Sequence, residues 1–566
     1  MIVDNVVVGE PAMELPGHLS YAQYVIDKLR EHCKAGDGVA LVNGDTGEEV
    51  TFYQILNDVV RIATGLKKFG VKRGDVVGLC SESRIEYIST AIAVMCCGAT
   101  VTAVNLQYQP EEMSHVLNIA KPNTVIGSSS ALKINLNTFK KLPFVKKMVQ
   151  FDGTPLEPGI VLLSSLMSED VRVDEYSPED VQGWSDVLVI LYSSGTTGLP
   201  KGVMLTHFNI LYSAIHYTNS KVDEEAYNRL LTVVPWYHGY GLLSTINYMA
   251  VKKKLVFFSG FNAEKYLGAI QKYKVTIVLL TVPPIVLLLA KSPVVEKYDL
   301  SSVHVVWCAA APLSKEIIQG ALKRLPNCTG IFQAYGMTET SLAATRDEMD
   351  AATQRVGSGG HPLPGVRIKV SNGEKLAKHK KIIYALKHKC LQVVDIETRQ
   401  KLGPNQQGEV CIKGPIVMKG YAGNEAATRE VMDEEGYLKT GDIGYYDEHG
   451  FLFIVDRLKE IIKYKGFQVP PAEVERVILQ HTGVAECGVV GAPDMAAGEL
   501  PFAFVVARPG ATVTEAELLE FTASRLSPAK RLHGVIFVNE IPQNPSGKIL
   551  RRVLKQKLKE MRASKL

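Results

Sequence analysis

Residues 187–202 read VLVILYSSGTTGLPKG and join two patterns. The apolar run at 187–191, rich in β-branched residues, predicts a buried strand. The glycines and hydroxyls that follow predict a loop in which backbone N–H and hydroxyl groups approach phosphate oxygens, while Lys201 adds positive charge. The loop is not a Walker A P-loop, because its spacing differs and no Lys-Ser or Lys-Thr pair ends it. The stretch therefore predicts a strand that opens into a phosphate-binding loop.

Short apolar runs alternate with helix-like segments on both sides of this stretch. Buried strands are predicted at 76–80, 101–104, 124–126, 188–192, 230–234, 254–258, 276–280 and 304–308. Strands separated by helices indicate an α/β fold with layered, mainly parallel sheets. After Gly403, shorter strands and more turns predict a small β-rich subdomain. A chain of 566 residues requires more than one domain. We expect a large N-terminal domain at 1–455, a hinge at 456–459 and a small, mobile α/β C-terminal domain at 460–566.

The composition is that of a globular enzyme. Apolar residues make up 46% of the chain and charged residues 22%, which excludes a wholly disordered protein. Nine cysteines without a CxxC pair fit a reducing compartment. The longest apolar stretch, 275–290, is interrupted by Pro283 and Pro284, so we expect a strand, a turn and a helix rather than a transmembrane segment.

A lysine-rich segment at 371–392 departs from this pattern. It contains six lysines and one glutamate, a net charge of +5 against +4 for the whole chain, so the remainder carries about −1. The basic balance therefore gives no reason to expect a nucleic-acid or membrane partner. Removing 370–392 joins two apolar pieces into one smooth strand. A retained intron in the gene model is the favoured origin and a genuine surface insertion the alternative; sequencing the transcript distinguishes them.

Further motifs follow the loop in a fixed order: 333–339 (QAYGMTE), 408–414 (GEVCIKG), 440–442 (TGD), 456–459 (DRLK), 463–466 (KYKG) and 545–548 (PSGK). With the loop, they resemble the adenylate-forming superfamily of acyl-CoA synthetases, 4-coumarate–CoA ligases and beetle luciferases. The resemblance covers almost the whole chain apart from the lysine-rich segment. It implies that 1–455 binds ATP and an acid, and that 460–566 is the matching C-terminal domain.

The resemblance also implies a nucleotide site with ATP and Mg²⁺. The phosphates would contact Ser193, Ser194, Gly195, Thr196, Thr197, Gly198 and Lys201. The adenosine would contact Ala310, Ala311, Gln333, Tyr335, Gly336, Thr338, Asp442 and Arg457, with Tyr335 against adenine and Asp442 on the ribose. Glu339 would bind Mg²⁺. Taken singly, Glu339 also fits a helix start, and Asp442 also fits a turn.

Four positions in the C-terminal region carry implied roles in the two half-reactions. Lys548 would bridge the substrate carboxylate and phosphate, although alone it fits a solvated turn. The domain would rotate at Lys459, withdraw Lys548 and bring Lys463 to the adenylate. Coenzyme A would then enter beside Gly466, which has no side chain to obstruct it.

The resemblance places the acid against Ser213, His238, Tyr240 and Leu342, a mostly aromatic and apolar lining that suits a hydrophobic carboxylic acid. His238 alone also fits a packed core histidine. Beetle luciferases carry arginine where Ser213 stands and serine where Leu342 stands. An acid–CoA ligase is therefore the leading hypothesis, a luciferin monooxygenase the second, and a non-catalytic binding protein the third.

The chain ends in Ser564, Lys565 and Leu566. This tripeptide is the address that the peroxisomal import receptor binds. We therefore expect that receptor as a partner and the peroxisome as the location; an ordinary frayed terminus is the alternative.

Overall fold

The computed structural model describes the chain apart from residues 1, 3–5, 11–14, 194–199, 219–226, 310–312, 314, 349–353, 372–392, 395–400, 465–466, 495–496, 527, 544–546 and 564–566. The described residues form two mainly parallel sheets, an antiparallel sheet and a C-terminal sheet. The predicted fold class is therefore confirmed.

The two mainly parallel sheets form the body of the N-terminal region. The eight-stranded sheet has the order Gly420–Tyr421, Lys201–Thr206, Val187–Ser193, Thr100–Ala103, Val76–Cys80, Thr124–Gly127, Lys147–Gln150 and Ile160–Leu162. The nine-stranded sheet has the order His361–Pro362, Thr345–Arg346, Gly330–Tyr335, Val305–Cys308, Ile277–Thr281, Arg229–Thr232, Lys254–Phe257, Val39–Asn43 and Glu49–Thr51. Antiparallel pairs occur only toward the edges of these two sheets.

Helices cover both sheets: Tyr21–Lys34, Phe52–Lys68, Ile85–Cys96, Pro110–Ala120, Ser129–Lys141, Leu163–Leu166, His207–Thr218, Gly239–Ala250, Ala263–Tyr273, Pro283–Lys291, Lys315–Leu322 and Glu425–Val431. Short 3₁₀ turns occur at Pro293–Lys297 and Thr338–Thr340. The predicted strand, turn and helix at 275–290 is confirmed, because the helix starts at Pro283, where the missing N–H is not needed. Within the described residues, no helix is both long and apolar enough to cross a membrane.

The β-rich subdomain is an antiparallel sheet. Its strands are Val7–Val8, Arg367–Ser371, Val393–Val394, Lys401–Leu402, Gly408–Lys413, Leu438–Tyr446 and Leu452–Arg457. Residues 372–392 of the lysine-rich segment lie outside the described residues. Val370 and Val393, which flank it, both register opposite Val410. An insertion that interrupts one continuous strand produces this register.

The C-terminal region folds around its own hydrophobic cores. Strands Phe467–Val469, Ile462–Tyr464, Gly498–Ala507, Val484–Asp494 and Gly534–Phe537 form one sheet. Helices Pro471–Ile478, Glu515–Ala523 and Arg551–Ala563 pack beside it, with a 3₁₀ turn at Pro528–Lys530. Its buried clusters draw only on residues after 460. Across the predicted hinge, the Asp456 carboxylate accepts a hydrogen bond from the Ala472 N–H at 2.8 Å.

Candidate functional site

A hairpin holds the two ends of the predicted phosphate loop. Strands Val187–Ser193 and Lys201–Thr206 pair antiparallel, and Ser193 stands opposite Lys201. Ser193 Oγ is buried and has no hydrogen-bond partner among the described residues. The remaining predicted loop residues, Ser194, Gly195, Thr196, Thr197 and Gly198, lie outside them. The hairpin therefore presents an unsatisfied hydroxyl and a cation at the mouth of this loop.

A tyrosine connects Lys201 with Glu339, the predicted Mg²⁺ ligand. Glu339 is buried in the turn Thr338–Thr340, and its Oε1 accepts a hydrogen bond from the Tyr421 hydroxyl at 3.0 Å. The Lys201 ammonium lies 4.9 Å from the centroid of the Tyr421 ring. Burial, and after it the Glu339 charge, raises the pKa of Tyr421 far above its ordinary value, so the phenol remains a neutral donor. Sequence reasoning missed Tyr421.

The structure brings together Tyr335, Asp442 and Arg457, three of the residues predicted to contact adenosine. The Tyr335 hydroxyl donates to Asp442 Oδ2 at 2.7 Å, although the two are 107 residues apart in the chain. Arg457 Nε lies 3.3 Å from Asp442 Oδ1, because the two residues face each other across neighbouring strands. Asp442 is buried, and its two partners, Tyr335 and Arg457, hold its carboxylate in one orientation. Two other predicted contacts, Ala310 and Ala311, lie outside the described residues.

Lys548 reaches this cluster from the C-terminal region. Burial, followed by repulsion from Arg457, lowers the pKa of the Lys548 ammonium, while Glu460 and Asp442 oppose that effect. The preceding Gly547 has φ +77, and a Cβ there would lie 2.5 Å from Pro284 Cγ at the start of helix Pro283–Lys291. Only glycine fits this contact between the two regions. The turn that carries Lys548 is thus held against the N-terminal region, where the charges of Arg457 and Asp442 act on the lysine.

The other predicted C-terminal residues are less completely described. Lys459 is exposed in the turn after strand Leu452–Arg457. Lys463 lies on strand Ile462–Tyr464, where its backbone registers with Gln468, and Gly466 lies outside the described residues. The predicted targeting residues 564–566 also lie outside them.

The residues predicted to contact the carboxylic acid lie on closely packed backbone. His238 is exposed at the start of helix Gly239–Ala250. A Cβ at Gly239 would lie 2.3 Å from the Leu191 side chain, so this turn packs directly on the strand that leads to the phosphate loop. Tyr240, in the first turn of the helix, is partly buried against the main core. His238 and Tyr240 thus flank a turn that packs on the strand leading to the predicted phosphate loop.

Ser213 is buried, and its hydroxyl donates to the Ser341 carbonyl at 2.9 Å. Ser341 and Leu342 have φ angles of 52 and 91, a left-handed backbone that is unusual for leucine. The Leu342 carbonyl comes so close to Gly336 that a Cβ there would lie 1.9 Å from it. Ser213 therefore holds the strained segment that carries Leu342.

Asp347, which contacts Gln333, is a second residue that sequence reasoning missed. The Asp347 carboxylate is 2% exposed and accepts a hydrogen bond from the Gln333 N–H at 3.0 Å. Burial raises the pKa of Asp347 to about 7. The Gln333 Oε1 is itself buried, without a partner among the described residues. No sequence motif marks Asp347.

The arrangement offers cations and hydrogen-bonding groups to a polar, anionic ligand. Lys201, Arg457 and Lys548 supply cations, and Asp442 supplies an acceptor for hydroxyl groups. Among the described residues, the buried Ser193 Oγ and Gln333 Oε1 have no hydrogen-bond partner. Glu339 is an oxygen ligand of the kind that Mg²⁺ prefers. Within the described residues, no cluster of three His, Cys, Asp or Glu forms a ready-made metal site.

The chain is similar to known proteins over most of its length. The family model described as AMP-binding enzyme matches residues 29–381, and that described as AMP-binding enzyme C-terminal domain matches residues 473–548. The chain is 37% identical to luciferin 4-monooxygenase of Nipponoluciola cruciata over 98% of both chains. It is 36% identical to 4-coumarate–CoA ligase 3 of Arabidopsis thaliana over 97% of this chain and 93% of that one. ATP-bound MatB from Rhodopseudomonas palustris shares the fold, with a TM-score of 0.80 at 24% identity over 96% of this chain and 100% of that one.

Proposed function

Because this chain belongs to the AMP-binding enzyme family, we propose that it is an acid–CoA ligase that uses ATP to activate a hydrophobic carboxylic acid. The acid would become an acyl-adenylate and then an acyl-CoA thioester. The observation that carries this proposal is the cluster of Tyr335, Asp442 and Arg457, together with the close contact of Gly547 with Pro284 that holds the turn carrying Lys548 against the N-terminal region. A cation delivered to that cluster meets the need of a reaction that brings a carboxylate and a phosphate together.

In the first half-reaction, a carboxylate oxygen attacks the α-phosphorus of ATP and pyrophosphate leaves. Lys201 and the loop 193–198 would hold the β- and γ-phosphates, and Lys548 would hold the carboxylate against the α-phosphate. Tyr335, Gln333, Gly336 and Thr338 would contact the base, while Asp442 and Arg457 would contact the ribose. Mg²⁺ at Glu339 would neutralise phosphate charge.

In the second half-reaction, the thiol of coenzyme A attacks the acyl carbonyl, AMP leaves and the thiol proton is lost to solvent. The domain at 460–566 would first turn about 456–459, at Lys459, and bring Lys463 to the adenylate beside Gly466. The bond from Ala472 N–H to Asp456 crosses that hinge, so turning would break it. His238, Tyr240 and Leu342 would bound the acid, with Ser213 fixing the Leu342 segment.

A luciferin monooxygenase is the second candidate function, favoured by 37% identity to a luciferin 4-monooxygenase over nearly the full length. Ser213 weighs against it, because its buried hydroxyl is bonded to the Ser341 carbonyl and adds no cation to the acid side. We therefore rank the ligase first. Light from purified protein with luciferin, ATP and O₂ would reverse that order.

The deciding experiment is acid-dependent pyrophosphate release by purified protein, with and without coenzyme A, across benzoates, cinnamates, fatty acids and luciferin. Turnover that depends on coenzyme A for a subset of acids is the expected result. The variant Lys548→Met should lose acid activation and still convert synthetic acyl-adenylate to acyl-CoA, which shows that it is folded. ATP binding without turnover on any acid would favour a binding protein and contradict the ligase.

We further propose that residues 564–566 direct the chain to peroxisomes through the import receptor. A fluorescent fusion that ends in these residues should co-localise with a peroxisomal marker. The same fusion without them should be diffuse; equal distributions would refute the assignment.

A further inference from the structure

Tyr421 lies between the two charged groups that the proposed site needs for its phosphates. Its hydroxyl donates to Glu339 Oε1 at 3.0 Å, and its ring centroid is 4.9 Å from the Lys201 ammonium. We propose that Tyr421 is a positioning residue for the metal–triphosphate: it orients the Glu339 carboxylate and keeps the Lys201 ammonium separate from it. This inference rests on the proposed function, because it assumes that the site binds Mg²⁺ and ATP.

The separation matters because Lys201 and Glu339 carry opposite charges. A direct ion pair would satisfy the ammonium and the carboxylate with each other, leaving less charge for a phosphate and a metal ion. Among the described residues, no ion pair joins the two. Tyr421 contacts both groups instead. The face of its ring lies against the Lys201 ammonium, and its neutral hydroxyl donates a hydrogen bond to the Glu339 carboxylate. Neither contact cancels a formal charge.

The two oxygens of the Glu339 carboxylate differ in their contacts with the described residues. Glu339 Oε1 is engaged by Tyr421, and no described residue donates a hydrogen bond to Oε2. A fixed carboxylate with one free oxygen is a suitable single protein ligand for Mg²⁺, which usually keeps several waters and takes its other ligands from substrate phosphates. Orientation by an outer hydrogen bond is a general device for tuning metal ligands.

The backbone ties Tyr421 to both partners. Strand Gly420–Tyr421 pairs with the strand that begins at Lys201, and the Ala422 N–H donates to the Gly202 carbonyl at 2.7 Å. Three residues before Tyr421, the Met418 N–H donates to the Glu339 carbonyl at 2.9 Å. The segment 418–422 is therefore hydrogen-bonded to the backbone of both neighbours, which fixes the backbone of Tyr421 relative to that of Lys201 and Glu339.

Two substitutions separate the hydroxyl from the ring. Tyr421→Phe removes only the bond to Glu339, whereas Tyr421→Leu also removes the surface under Lys201. Tyr446→Phe is the matched control, because it removes another buried tyrosine hydroxyl, one that donates to the Leu402 carbonyl at 3.0 Å in the β-rich subdomain. All three are first compared with the wild type by thermal unfolding, so that loss of fold is recognised.

The test measures nucleotide binding without any acid present. A non-hydrolysable ATP analogue is titrated into each protein by calorimetry, once with Mg²⁺ and once with EDTA. Tyr421→Phe should weaken Mg²⁺-dependent binding by about 10- to 150-fold, from the loss of one hydrogen bond to a charged group, and leave metal-free binding within about twofold. Tyr421→Leu should weaken binding in both conditions, and Tyr446→Phe in neither.

Each outcome is decisive. Equal weakening of Tyr421→Phe with and without Mg²⁺, or no weakening at all, would overturn the inference. The expected pattern together with absent acid-dependent pyrophosphate release in the wild type would refute the ligase but support the role of Tyr421. A wild type that binds no nucleotide in either condition would refute both.

Discussion

Asp347→Asn should change how the stability of the N-terminal region depends on pH. Burial raises the pKa of Asp347 from its ordinary 3.8 to about 7, so the folded protein retains a proton that the unfolded chain releases. The contribution of Asp347 to stability is therefore greatest below pH 3.8 and is lost as pH rises to about 7. Asparagine cannot ionise, yet its amide oxygen can still accept the Gln333 N–H bond that Asp347 accepts at 3.0 Å.

The size of the change in stability follows from the change in the pKa of Asp347. Raising that pKa by about three, at 1.36 kcal/mol for each, lowers the unfolding free energy above pH 7 by about 4 kcal/mol. Between about pH 5 and pH 8, the unfolding free energy of Asp347→Asn should gain roughly 3 kcal/mol over that of the wild type. This pH dependence of the unfolding free energy has the opposite sign to that of a salt-bridged aspartate, which loses its stabilising effect in acid.

Urea unfolding followed by tryptophan fluorescence is the assay. The three tryptophans of the chain, Trp184, Trp236 and Trp307, precede residue 455, so the signal reports the N-terminal region. The Trp307 ring packs beside the Phe332 ring, with 5.7 Å between the ring centroids. Phe332 precedes Gln333 on the strand that pairs with the strand of Trp307. Glu348→Gln, an exposed neighbour, controls for loss of charge alone. A difference between Asp347→Asn and wild type that stays constant with pH would refute the reasoning.

Two further substitutions test the close contacts and the C-terminal network. Gly336→Ala should destabilise the protein by about 1–3 kcal/mol and weaken nucleotide binding, because its Cβ would lie 1.9 Å from the Leu342 carbonyl. The control Gly268→Ala should do neither, because its Cβ would lie 3.7 Å from the nearest neighbour. Urea unfolding measures the stability of both variants, and calorimetry measures their nucleotide binding. Arg551→Met should make the C-terminal region sensitive to limited proteolysis at a loss of about 3–5 kcal/mol, since it leaves Glu475, bonded at 2.7 and 2.8 Å, buried without a cation. Adding Glu475→Gln should restore much of the resistance, and equal sensitivity of the single and double variants would contradict this.

The fold was predictable because its signals are local. The strand before the phosphate loop, the proline-started helix at 283 and the separate C-terminal region all follow from short patterns of apolar residues, prolines and turns. The course of the chain around the lysine-rich segment was also visible, since Val370 and Val393 register opposite one residue.

The candidate site was predictable only where a motif carries it. Tyr335 and Asp442 each belong to a recognisable motif, so their meeting could be expected although 107 residues separate them. Tyr421 belongs to a two-residue strand, and its bond to Glu339 spans 82 residues, so no local pattern indicates it. Asp347 resembles an ordinary polar residue after a strand, because its burial depends on distant segments.

Opposing charges act on Lys548 in the docked domain. Lys548 and Arg457 repel one another, while Glu460 and Asp442 attract Lys548, and the buried Asp442 also contacts Arg457 and the Tyr335 hydroxyl. In the proposed reaction, a bound phosphate and carboxylate would add negative charge and outweigh the repulsion between Lys548 and Arg457. In the proposed reaction, departure of pyrophosphate and consumption of the carboxylate charge would restore part of that repulsion. The same charges that bring Lys548 to the reacting groups would then favour its withdrawal, which the second half-reaction requires.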